Sequence, residues 1–130
     1  MNNAAEKINY TEAELFYKSP YALVDYTSVQ SFTLIKSCIE LFAYYGAEKF
    51  TASDIKEFFT RLQLTQKKNG RVFIPSEKKI EGVLDCCLDG NGNTLSRSDG
   101  MYHIVHWNTD GYRFELNSIK TGNKILSRYS

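Results

Sequence analysis

The sequence predicts an α+β fold, with a three-helix core, a small three-stranded antiparallel sheet after it and a helical arm in front. Three observations carry that expectation. Apolar residues recur at helical spacing in separate blocks between Phe32 and Leu88. The run Asp89-Gly90-Asn91-Gly92-Asn93 then stops the helical pattern. Beyond it the period shortens to two, and glycine-bearing turns separate the alternating stretches. A chain of 130 residues, 42% of them apolar, can build one core without disulfides or metals.

The arm comes first. Residues 1–10 are polar and read as frayed. Thr11 and Glu14 have the spacing of a capping box, and Leu15, Phe16 and Tyr17 follow it. Ser19-Pro20 should stop this helix, because proline pushes the residue before it out of helical geometry. Tyr21, Leu23, Val24 and Tyr26 form a sticky stretch suited to docking.

Ser28 is placed to cap the strongest helix. Phe32, Ile35, Ile39 and Phe42 make one apolar ridge, and Leu34, Cys38, Leu41 and Tyr45 make a second beside it. Gly46 suits the position just past its end. The next helix starts at Thr51, with Asp54 as the third helical residue and Ile55, Phe58, Phe59 and Leu62 as the buried stripe. Leu64 to Ile74 reads as an exposed loop turning at Asn69-Gly70, with Val72, Phe73 and Ile74 able to add a short strand. Pro75-Ser76 opens the third helix, in which Ile80, Val83, Leu84, Cys87 and Leu88 lie at helical spacing. Thr94 to Ser98, Met101 to Trp107 and Tyr112 to Leu116 are the expected strands, separated by Asp99-Gly100 and by Asn108-Thr109-Asp110-Gly111. Tyr112, Phe114 and Leu116 alternate with Arg113 and Glu115, which gives the last strand one buried face.

The chain thus divides into an arm over residues 1–27, a domain over 28–116 and a basic tail over 117–130. Three helices followed by a small antiparallel sheet resemble the winged helix-turn-helix superfamily over about Ser28 to Leu116. The resemblance lies in element order and not in a signature motif. It implies DNA binding, with the third helix entering the major groove and the hairpin tip acting as a wing.

The net charge of +1 excludes a histone-like polycation and an acidic disordered tail, but it conceals a pattern. Residues 63–79 carry Lys67, Lys68, Arg71, Lys78 and Lys79 against Glu77 alone, a balance of +4. These five cations, with Arg97 beside the hairpin tip, are the expected phosphate contacts. Against DNA stands a stripe of acids, Glu81, Asp85 and Asp89, spaced four apart on the third helix. In a major groove it would run between two lines of phosphates, so base readout through the middle of that helix is not expected.

Enzyme chemistry finds little support. His103 and His106 lie three apart on an expected strand and so point to opposite faces. Cys86 and Cys87 are neighbours without the C-x-x-C spacing of a zinc site. Asp89, Asn91 and Asn93 begin like a calcium loop, but Thr94 and Gly100 stand where glycine and glutamate are required. No phosphate-binding glycine loop or nucleophile elbow occurs, and no cofactor or metal is expected. No run is long and apolar enough for a membrane span, and the first thirty residues carry no secretion signal. Three cysteines, two of them adjacent, suit a reducing cytoplasm.

Two functions follow. The leading one is a small DNA-binding protein, a regulator or an accessory factor of a mobile element, that holds double-stranded DNA without catalysis. The other is a protein-interaction module on the same fold, using Glu81, Asp85 and Asp89 and the aromatic arm against a basic partner or a second copy of the chain. Aromatic rings in the arm suit docking on the core or a homodimer interface better than stacking on bases, since only Lys7 and Lys18 accompany them.

Overall fold

Helix α2 (Ser31–Tyr44) is the axis of the molecule, because both of its apolar ridges find partners. Leu34, Ile35, Cys38, Ile39, Leu41 and Phe42 are buried, whereas Phe32, expected on the same ridge, is 42% exposed. The computed structural model describes residues 4–18, 31–65, 70–88, 90 and 92–120. The expected cap Ser28 and the sticky stretch from Tyr21 to Tyr26 lie outside them.

The elements run α1 (Tyr10–Lys18), α2, β1 (Lys49–Phe50), α3 (Ala52–Leu62), α4 (Glu77–Asp85), β2 (Thr94–Ser98), β3 (Met101–His106) and α5 (Asp110–Lys120). This is an α+β fold with a small three-stranded antiparallel sheet in the order β1-β3-β2. No described helix is long and apolar enough to cross a membrane.

Helix α3 begins as its sequence demands. The Thr51 side chain accepts the Asp54 N–H at 3.2 Å, and Asp54 returns the bond by accepting the Thr51 N–H at 2.8 Å. The helix buries Ile55, Phe58, Phe59 and Leu62, and ends on Gln63 in the left-handed region at φ 56°. The connection to α4 is not a free loop. The Phe73 N–H donates to the Leu64 carbonyl at 2.7 Å, and Thr65 and Val72 form a β-bridge, so the two ends of the loop are pinned together. Asp99 and Gly100, at φ 54° and 75°, form the two-residue turn between β2 and β3, the conformation that favours Asp-Gly in a hairpin.

Several expectations are corrected. The segment from Tyr112 to Leu116 is helical, and the third strand is β1, between α2 and α3. The Asn108 side chain accepts the Asp110 N–H at 2.9 Å, and the Thr109 carbonyl accepts the Arg113 N–H at 2.9 Å. The residues read as a turn are therefore a helix start, and α5 runs across the boundary drawn at Leu116. In the arm, Asn9 and not Thr11 satisfies the opening of α1, accepting the Glu12 N–H at 3.2 Å. The segment read as frayed contains a short 3-10 helix over Ala4–Lys7, with Ala4, Ala5 and Ile8 buried. Helix α4 stops at Asp85, and Cys87 continues the core from the turns that follow.

The arm belongs to the core. Tyr17 is buried, and its hydroxyl donates to the Leu34 carbonyl at 3.2 Å. Phe16 packs edge-on against Tyr112 of α5, with centroids 4.5 Å apart. The Tyr45 hydroxyl donates to the Glu12 carboxylate and lies 3.4 Å from the Tyr112 hydroxyl, joining α1, the turn after α2 and α5. Burial pushes both phenols above their ordinary range.

Phe58 is the hub of this packing, with ring centroids 5.7 Å from Tyr10, 5.9 Å from Tyr17, 6.1 Å from Phe42 and 5.0 Å from Phe59. Phe58→Ala should therefore lower the unfolding free energy by about 3–5 kcal/mol, measured by urea denaturation. A loss below about 1 kcal/mol would show that the site collapses around the deletion and that Phe58 is no hub.

Candidate nucleic-acid interface

Helix α4 is held by its start and its apolar face. The Ser76 hydroxyl accepts the Lys79 N–H at 3.2 Å, and Ile80, Val83 and Leu84 turn into the core against α2 and α3. Lys78 and Lys79 are exposed in the first turn. Further along, Gly82, Asp85 and Cys86 are exposed, and a Cβ added at Gly82 would meet nothing within 4 Å. Arg71 is exposed on the returning limb of the pinned loop. Lys67, Lys68 and Asp89 lie outside the described residues.

The sheet brings the remaining candidates together. Phe50, Tyr102 and Arg97 form one row, because Phe50 pairs with Tyr102 and Tyr102 pairs with Arg97. Neighbours in such a row project to the same face. Phe50 and Tyr102 stack with centroids 6.1 Å apart, and the Arg97 guanidinium sits 5.0 Å from the centre of the Tyr102 ring. From there the guanidinium forks onto α4, Nη1 to Asp85 and Nη2 to Glu81, each at 3.2 Å. The Tyr102 hydroxyl donates to the same Asp85 oxygen at 2.7 Å. Burial, with the bond to Asp85 as the second cause, pushes this phenol up to about 12.

This clasp changes what the charged candidates can do. Arg97, expected on phosphate, is engaged with Glu81 and Asp85, expected on a partner. The cation and two of the acids offset each other across the sheet–helix contact. Lys78 and Lys79 at the start of α4 are exposed, as is Arg71 on the loop. Tyr102 was not among the expected site residues. A signal for it existed: a two-residue turn at Asp99-Gly100 places residue 97 opposite residue 102.

Among the described residues, no group of three or more His, Cys, Asp and Glu side chains could hold a metal ion. All three cysteines are free thiols, and burial pushes Cys38 and Cys87 up. Compared with known protein families, curated proteins and solved structures, the chain matches none of them.

The exposed parts of the clasp make it sensitive to salt. Arg97→Gln should cost about 0.5–1.5 kcal/mol of stability at low salt, and less at about 1 M salt, where exposed ion pairs are screened. Thermal unfolding at the two salt concentrations measures this, and an equal loss at both would contradict an electrostatic clasp.

Proposed function

We propose that the chain is a winged-helix protein that binds double-stranded DNA through the start of α4 and acts by binding alone. The carrying observation is the placement of Lys78 and Lys79. Both are exposed in the first turn of a helix whose opposite face is fixed to the core and whose neighbour is a β-hairpin. Backbone N–H groups in the first turn of a helix add a favourable end for phosphate. Arg71, Lys67 and Lys68 lie in the segment leading to that turn and extend the basic stretch. Gly82 leaves the middle of the outward face flat, which suits a close approach by a duplex backbone.

The acidic stripe opposes this reading less than its sequence alone suggests. One guanidinium answers both Glu81 and Asp85, so the face carries a smaller net negative charge. For the same reason a basic protein partner finds less on that stripe to recognise. Arg97 is a shape-holding residue here and not a phosphate contact. The contacts that remain position the protein without reading bases, so recognition is largely independent of sequence.

Fluorescence anisotropy of a random-sequence duplex tests the reading. Wild-type binding should weaken by one or more powers of ten between about 50 and about 200 mM salt. Lys78→Gln with Lys79→Gln should weaken binding at low salt and reduce the slope of log affinity against log salt by about two. Unchanged affinity in the double variant would remove these lysines from the interface. Absence of wild-type binding at low salt would remove the DNA reading itself.

A further inference from the structure

A cleft of about 230 Å³ opens between α2 and the ends of the β2–β3 hairpin, lined by Phe32, Lys36 and Glu40 of α2 together with Asn93 and Trp107. It shares no residue with the basic surface described above. Most of its polar groups are occupied. The Ser37 hydroxyl, also on the wall, donates to the Thr33 carbonyl at 2.9 Å, and the Asn93 side-chain oxygen accepts the Asn108 N–H at 2.7 Å. The Lys36 ammonium lies 5.4 Å from the centre of the Phe32 ring.

Glu40 is the exception. It is half-buried and has no hydrogen-bond or ion-pair partner among the described residues. Burial alone pushes its carboxyl up to about 7. A carboxylate left in this state gains by receiving a cation that can itself shed water at low cost. The walls say which cation. Trp107 is half-buried and Phe32 is 42% exposed, and an indole and a phenyl ring line the same cleft as the acid. A guanidinium is planar, weakly hydrated, stacks on aromatic faces and can fork onto a carboxylate; an ammonium is a strongly hydrated point charge. The volume is that of a side-chain-sized group and below that of a drug-sized ligand.

We propose that this cleft is a guanidinium-binding site, with Glu40 as the counter-charge and Trp107 as the stacking wall, filled by free arginine or by an arginine side chain of another protein. The site is independent of the DNA reading and stands or falls separately.

Trp107 is the single tryptophan of the chain, so its fluorescence reports on this cleft alone. The test is a titration of the intact protein at about pH 8, where a carboxyl titrating near 7 is mostly ionised. The probes are N-acetyl-argininamide, free arginine and N-acetyl-lysinamide. The expected result is a saturable change in Trp107 emission with both arginine probes, about tenfold weaker with the lysine probe. Glu40→Gln should weaken the arginine response at least about tenfold, since the charge-assisted bond is lost. Capped arginine binding the tighter points to a side chain as the natural occupant, and free arginine binding the tighter points to the amino acid; both outcomes support the site. No saturable change in the wild type, or an undiminished response in Glu40→Gln, overturns it. The amide spectrum of the wild type provides a readout that does not depend on the variant folding: the Trp107 indole N–H must shift with the arginine probe, and an unmoved indole overturns the proposal.

Discussion

The position of the Arg97 clasp depends on the packing of Phe58. Its ring lies at the meeting point of α1, α2 and α3, and through Phe42 the contact passes to Phe50, 5.4 Å away at the start of the sheet. Phe50 then stacks on Tyr102, and Tyr102 carries Arg97. One continuous line of rings therefore runs from the amino-terminal helix to the guanidinium that meets α4. Each aromatic pair adds about 0.5–1.5 kcal/mol beyond the area it buries. An exposed ion pair adds about 0–1 kcal/mol. Packing thus decides where the sheet sits relative to α4, and the clasp adds registration to a contact that the core has already set.

The main consequence of the clasp is for charge. Residues 80–115 hold two basic and six acidic groups, which by sequence would repel nucleic acid. Folding places one of those two cations between two of the acids. Lys78 and Lys79 then stand at the start of a helix with a partly neutralised face and not a bare acidic one. Charges at the start of α4 remain in water, where they can reach phosphate over about a Debye length, roughly 8–10 Å at physiological salt. The Glu40 cleft follows a different rule. There a single acid is kept partly from water with no ion-pair partner among the described residues, and recognition would come from contact and not from the long-range field.

Much of the fold was legible because local chemistry and tertiary packing agree. Thr51 with Asp54, Ser76 with its apolar stripe, and Asp99-Gly100 each do in the structure what their residue types demand. The last segment misled for a physical reason. Tyr112 and Leu116 are four apart, a spacing shared by a strand face and a helix face, and Phe114 between them favoured the strand. Asn108 and Thr109 can serve a turn or a helix start, and α5 needed the pocket formed by Phe16, Tyr44 and Tyr45 to decide it. Strand β1 has two residues, too few for any period to register. The site was legible in part. Lys78 and Lys79 follow from the Ser76 cap, but the Arg97 clasp depends on how a hairpin docks on a helix twelve and more residues away in sequence. Local pattern carries no record of that docking.

The most direct test of the central claim is the amide footprint of random-sequence duplex DNA on the isotope-labelled wild-type protein at low salt. The account predicts shifts concentrated at Gly70, Arg71 and Ser76 to Lys79, fading as salt is raised, with the Arg97 side-chain signal little moved because Glu81 and Asp85 hold it. Shifts confined to other surfaces, or a spectrum unchanged at saturating DNA, would contradict it.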